Sequence, residues 1–113
     1  MPHQNSSLLE LFNDPSYGKI YKWHHYLDIY ETFFEQYRGK SIVILEIGIL
    51  DGGSLRLWKN YFGESCQVYG IDINPLAKQY EDEGIHVRIG DQSDPQFLAK
   101  LVEEVGQFDI VID

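Results

Sequence analysis

The segment SIVILEIG, Ser41 to Gly48, constrains the fold more than any other stretch of the chain. It is a near-continuous run of apolar and β-branched residues, and a strand that is apolar on both sides needs cover on both sides. That is the setting of a strand inside a parallel sheet. The next segment is equally specific. The turn EIGILDGGS leads into SLRLWKNYF, where Leu55, Leu57, Trp58, Tyr61 and Phe62 recur at helical spacing, with Ser54 or a near neighbour as N-cap and Gly63 just past the end.

The rest of the chain repeats this alternation. CQVYGIDI reads as a second strand, and NPLAKQYEDEG as a short helix opened by Asn74-Pro75 and ended by Gly84. IHVRIG places Ile85, Val87 and Ile89 on one face and His86 and Arg88 on the other, as expected of a strand at a sheet edge. SDPQFLAKLVEEVG is a helix with Asp94 as cap, Pro95 in its first position and Gly106 past its end; FDIVID is a fourth strand. Upstream, Trp23, Tyr26, Leu27, Tyr30, Phe33, Phe34 and Tyr37 mark one face of a helix from Ile20 to Tyr37, with Gly39 as a left-handed C-cap. Residues 1–19 read as a lead-in arm broken by NDPSYGK. Strands alternating with helices at these spacings imply right-handed crossovers and an α/β layer structure around a parallel sheet. The apolar strand at the C-terminus lacks a covering helix, so the fold is expected to be truncated after the fourth strand, with the last strand free to pair with another chain.

Composition narrows the partners. With 9 Lys and Arg against 18 Asp and Glu, the chain carries a net charge of -9. That balance disfavours a nucleic-acid backbone or an anionic membrane, both of which select clustered cations. No apolar run reaches the roughly 18 residues a membrane span needs, and the N-terminus lacks a signal-peptide pattern. The single cysteine, Cys66, suits a packed position in a reducing cytoplasm.

The glycine turn carries the chemistry. In the dinucleotide fingerprint G-x-G-x-x-G, the second glycine lets backbone approach a pyrophosphate, and aligned from Gly48 that position is Leu50. Gly52 and Gly53 still leave the helix mouth uncluttered. The amides from Gly52 to Ser54 can therefore meet a carboxylate in place of a diphosphate, which suits S-adenosylmethionine. Asp72, at the end of the second strand, stands where a carboxylate can accept both ribose hydroxyls, and Ile73 beside it is counted with the same set. Asp91 ends the third strand at the same sheet edge; it reads either as an acceptor for an adenine amino group, with the Gln92 backbone near the ring nitrogens, or as a plain turn aspartate. Glu46 is an acid inside an apolar strand, expensive unless partnered. It can hold a ligand ammonium or bond the loop itself. His24-His25 are neighbours on a helix and diverge, which argues against chelation and for a lid or surface role.

In this order, LEIGILDGGS, YGIDI, IGDQSD and FDIVID resemble the four N-terminal motifs of class I S-adenosylmethionine-dependent methyltransferases, which have a Rossmann-like fold. KWHHYLDIYETFF followed by LEIGILDGGSLRLWKNYFG is similar to the macrocin and mycinamicin type of sugar O-methyltransferase, over roughly residues 19 to 113. The resemblance implies that residues 20–113 are the cofactor-binding half of such a domain. It implies that Glu46, Gly48 and Gly52 form the methionine-side loop, that Asp72 binds ribose, and that Asp91 with Gln92 borders adenine. It further implies an acidic segment that starts at Asp113 and helps bind a divalent metal such as Mg, and a small-molecule hydroxyl as methyl acceptor. Leu50 departs from the glycine common at that position. Two other readings stand beside this one: a nicotinamide-dependent oxidoreductase, and a non-catalytic module that assembles through FDIVID.

Overall fold

A computed structural model describes Ser7, residues 32–49 and residues 52–112. Its four strands are β1 (Val43–Ile47), β2 (Gln67–Asp72), β3 (Ile85–Ile89) and β4 (Ile110–Ile112). They form one parallel sheet in the order β3-β2-β1-β4, so the apolar run of β1 is interior as its sequence requires. Two α-helices, α1 (Gly53–Phe62) and α2 (Pro95–Val105), join the strands together with a 3-10 helix at Pro75–Tyr80.

Strand alternation sorts the side chains onto two faces. Ile44, Val68, Val87, Ile110 and Ile112 meet Leu55, Trp58, Tyr61 and Phe62 of α1 and Ala77 of the 3-10 helix in one large core. On the other face Leu45 and Ile71 meet Leu101 of α2, flanked by Phe97, Leu98 and Phe108. Each large apolar side chain fully buried in this way contributes about 1.5–3 kcal/mol relative to exposure. The chain moves from β1 to β2 to β3 along one face, then returns across the other to place β4 beside β1. Ligands of open α/β sheets bind at the carboxyl ends of the strands near such a reversal. All the expected site residues described by the structure lie at that end.

Several local expectations hold. Asp94 caps α2 by accepting from the Gln96 amide at 3.0 Å, with Pro95 next and Gly106 ending the helix. Gly39 takes a φ of +77° after Tyr37, and Phe34 and Tyr37 pack on the core, whereas Phe33 is exposed. The earlier part of the expected Ile20–Tyr37 helix and the arm before it, apart from Ser7, lie outside the described residues, as do His24 and His25.

Two details differ and one is narrowed. NPLAKQYEDEG does not run as a helix to Gly84: the 3-10 helix stops at Tyr80, and Asp82 bridges to Ile85 across a turn in which Gly84 has a φ of +76°. The cause is a contact with the neighbouring strand: Glu81 takes an extended backbone, and its carboxylate accepts the Val87 amide of β3 at 3.0 Å. Of the expected cap, Ser54 or a near neighbour, it is the neighbour Gly52 that takes the position, with a φ of +78°, and Ser54 lies in the first turn. The last strand begins at Ile110 because the Asp109 carboxylate accepts the Val43 amide at 2.8 Å just before it. Cys66 is buried, and burial pushes its thiol up to about 12, so it stays protonated and acts as packing.

Candidate cofactor site

Glu46 is fully buried on the α1 side of β1, paired in register with Gly70 of β2 and Ile112 of β4. Its carboxylate accepts from the Ser54 hydroxyl, which lies 2.7 Å from Oε1 and 2.9 Å from Oε2. A hydroxyl has one proton, so it donates to one oxygen at a time and holds the group centred over the helix mouth. Gly70 makes this packing possible. A Cβ there would fall 2.7 Å from Ile49 Cγ2 and 2.9 Å from Leu55 Cδ2, the side chains that fill the space beside Glu46. Sequence patterns alone do not single out Gly70, although a glycine inside a strand signals a close approach of this kind.

The loop after β1 is tied to β2. The Gly48 amide donates to the Ile71 carbonyl at 2.9 Å, and the Ile49 amide donates to Asp72 Oδ2 at 3.1 Å. The other oxygen, Asp72 Oδ1, accepts the Asn74 amide at 2.9 Å. A carboxylate offers about four acceptor positions, so Asp72 is fixed in orientation by two amides and retains capacity on both oxygens. A carboxylate held in this way can accept two further hydrogen-bond donors. The loop closes on itself through the Gly52 amide to the Ile49 carbonyl at 2.8 Å, and α1 starts at Gly53. The first-turn amides of a helix have no partner within the helix and favour an anion.

Glu46, Gly48, Gly52, Ser54 and Asp72 therefore belong to one connected arrangement. Beside it, Ile73 and Leu76 are 68% and 71% exposed, an apolar shelf at the tip of β2 whose second member was not anticipated. The tip of β3 joins through the Gly90 amide, which donates to the Asp72 carbonyl at 2.9 Å. Here Asp91 is exposed, and its Oδ1 accepts both the amide (2.9 Å) and the hydroxyl (2.7 Å) of Ser93. Those bonds hold its carboxyl below the usual range, so it is charged at neutral pH. The turn role is thus present, and Oδ1 is the oxygen that serves it. Gln92 is exposed in the same turn. Leu50, Asp51 and Asp113 lie outside the described residues. No three His, Cys, Asp or Glu side chains gather into a metal-binding group among the described residues. Nor is any helix among them long and apolar enough to cross a membrane.

Comparison with known proteins gives a consistent result. No family model matches the chain. It is 40% identical over 101 residues to the 8-demethyl-8-alpha-L-rhamnosyl tetracenomycin-C 2'-O-methyltransferase of Streptomyces olivaceus, covering 81% of this chain and 26% of that one. It is 36% identical to the demethylmacrocin O-methyltransferase of Streptomyces fradiae and 37% identical to the mycinamicin VI 2''-O-methyltransferase of Micromonospora griseorubida, each over 96% of this chain and 28% of the relative. Among solved structures, the methyltransferase MycE of the mycinamycin biosynthetic pathway, in complex with Mg, SAH and mycinamycin VI, superimposes with a TM-score of 0.82 at 35% identity, over 95% of this chain and 31% of that one. Another MycE crystal form, with Mg and SAH, gives 0.78 at 37% identity. The chain thus spans between a quarter and a third of the length of the relatives it matches. By sequence and by fold it is a homologue of the macrocin and mycinamicin type of sugar O-methyltransferase, with their Rossmann-like α/β sheet.

Proposed function

We propose that this chain forms the cofactor-binding part of an S-adenosylmethionine-dependent O-methyltransferase that acts on a sugar or another small-molecule hydroxyl. Within it, residues 20–113 are the cofactor-binding unit and residues 1–19 a lead-in arm, in a cytoplasmic enzyme. The observation that carries the reading is the Asp72 carboxylate, preset by the Ile49 and Asn74 amides in the same arrangement as the buried Glu46. One end of the arrangement suits a ribose and the other an amino acid. The MycE structures, solved with SAH and Mg, support the same ligand class.

The roles follow from the chemistry of each group. Asp72 accepts the two ribose hydroxyls, and Ile73 lies against the apolar side of the nucleoside. Asp91 and Gln92 border adenine, with Asp91 Oδ2 as acceptor. Glu46 faces the ammonium group and keeps its direction through Ser54, while the amides at the mouth of α1 meet the ligand carboxylate and Gly48 lets the chain turn. S-adenosylmethionine supplies a methyl group already activated on a sulfonium, so the protein needs no covalent nucleophile. Positioning then does most of the work, and the net charge of -9 suits a cationic sulfonium. Asp113 is assigned to a divalent-ion segment on the resemblance alone.

Calorimetric titration with S-adenosylhomocysteine and with NAD separates this reading from the oxidoreductase. Binding of the homocysteine compound with no heat from NAD is expected; binding of NAD alone would overturn the proposal. A second reading rests on β4, an edge strand of the described sheet whose Val111 is 58% exposed. Pairing of two chains through it predicts a concentration-dependent dimer in sedimentation, and a monomer at all concentrations would remove it.

A further inference from the structure

Tyr80 makes none of the hydrogen bonds that join Glu46 to Asp72, yet it touches the loop at its most constrained point. Gly52 has a φ of +78°, and a Cβ built on it would lie 2.6 Å from Tyr80 Cδ1 and 2.9 Å from Tyr80 Cβ. The tyrosine ring therefore sits directly against the Gly52 backbone. It is half-buried and packs on the α1-side core, so it is a fixed surface and not a loose flap. Gly52 is needed here twice over, for its left-handed backbone and for the space its missing side chain gives the ring.

Both ties on the turn after β1 come from one short stretch of chain. Asp72 Oδ2 holds the Ile49 amide, and Tyr80, at the last residue of the 3-10 helix, holds Gly52. The Asn74 side chain caps that helix by accepting the Leu76 amide at 3.0 Å, which fixes the helix to the tip of β2. Gly52 in turn sets where α1 begins, and with it the direction of the amides at Gly53 and Ser54 and the Ser54 hydroxyl on Glu46.

We infer that Tyr80 is a positioning residue: its ring clamps Gly52 and so sets the amino-acid half of the cofactor site, while Asp72 serves the nucleoside half and ties the same turn at Ile49. The consequence for ligand binding rests on the proposed cofactor function; the clamp itself does not. The ring and not the hydroxyl makes the contact, so phenylalanine should replace tyrosine.

The test uses this chain with Tyr80→Ala and Tyr80→Phe, read in two ways. In the absence of ligand, hydrogen exchange of the Gly52 amide, which donates to the Ile49 carbonyl at 2.8 Å, should accelerate on the order of tenfold in the alanine variant, while amides in β1 and β2 keep their protection. In calorimetry, Tyr80→Ala should bind S-adenosylhomocysteine roughly tenfold more weakly and adenosine unchanged, since small misplacements of positioning groups are costly. Tyr80→Phe should restore both readouts. Equal loss of S-adenosylhomocysteine and adenosine, unchanged exchange at the loop, or a phenylalanine variant that behaves like alanine would overturn the inference. If the parent chain binds neither compound, the cofactor reading fails, and the exchange measurement still decides whether Tyr80 clamps the loop.

Discussion

Glu46 and Asp72, at the tips of β1 and β2, take hydrogen bonds from a hydroxyl and from two backbone amides. Glu81 and Glu104, beside β3, take theirs from cations: Lys78 at 2.9 Å and Arg88 at 3.2 Å on Glu81, and Arg88 again on Glu104. The second set also stitches the strand edge, because Lys78 donates to the Val87 carbonyl at 2.8 Å and Glu81 accepts the Val87 amide. The difference separates a site from a brace. A carboxylate matched by Arg or Lys has its charge answered by the protein. Asp72, fixed by neutral amides, retains acceptor capacity on both oxygens.

Substitutions that exchange the two situations should show this most strongly at Asp72. Hydrogen bonds to a charged acceptor contribute about 1.5–3 kcal/mol each, so Asp72→Ala should weaken S-adenosylhomocysteine binding on the order of a hundredfold or more in calorimetry. Affinity within error of the parent would remove the ribose assignment. Glu46→Gln keeps the shape and a hydrogen-bonding partner for Ser54 but removes the charge; affinity should fall roughly tenfold. The same change at Glu81 should leave affinity as it was. A loss of binding from Glu81→Gln equal to that from Glu46→Gln would erase the distinction between the two regions.

On the brace side the effects are smaller and concern stability. Arg88→Gln should lower the urea midpoint slightly at low salt, and the difference should shrink as salt rises, as for other exposed ion pairs. The smallest effect is in pH. His86 stacks on Tyr69 with ring centroids 4.6 Å apart, and its Nε2 meets Gln67 Oε1 at 2.7 Å. Burial, then the charge of Arg88, pushes its pKa below the ordinary 6.5. The fold thus favours the neutral ring, and this contribution is full above about pH 6.5 and lost as pH falls through the lowered value. Lys78, the Val87 amide and Arg88 hold the Glu81 carboxyl below its ordinary 4.5 as well, so its contribution fades only in stronger acid. Denaturation midpoints measured between pH 7.5 and 5.5 should therefore decline, and less steeply in His86→Gln. An equal slope in both proteins would show that His86 is not the group responsible.

The strands and α2 were legible because their signals are local. SIVILEIG announces an interior strand, and the capping pair Asp94-Pro95 with Gly106 marks both ends of a helix within its own sequence. The 3-10 helix was misread because its stop depends on Glu81 reaching Val87 across to β3, a contact that no helical period records. At the site, Glu46 stood out as an acid in an apolar run, and Asp72 by its strand end. Neither pattern could show that Ser54 turns back onto Glu46 in place of capping α1. Gly70 and Tyr80 were missed for a common reason: each acts through what it lies against, the first through Ile49 and Leu55 and the second through Gly52.

The central claim is that one sheet edge, from the loop after β1 to the tips of β2 and β3, holds an S-adenosyl compound. Nuclear magnetic resonance titration of the isotopically labelled chain with S-adenosylhomocysteine tests it most directly. Amide shifts should concentrate at Gly48 to Ser54, at Asp72 to Asn74 and at Gly90 to Gln92, with β4 and the Glu81, Arg88 and Glu104 brace unchanged. Saturating shifts confined to the brace or to β4, or no shifts at millimolar ligand, would contradict the account.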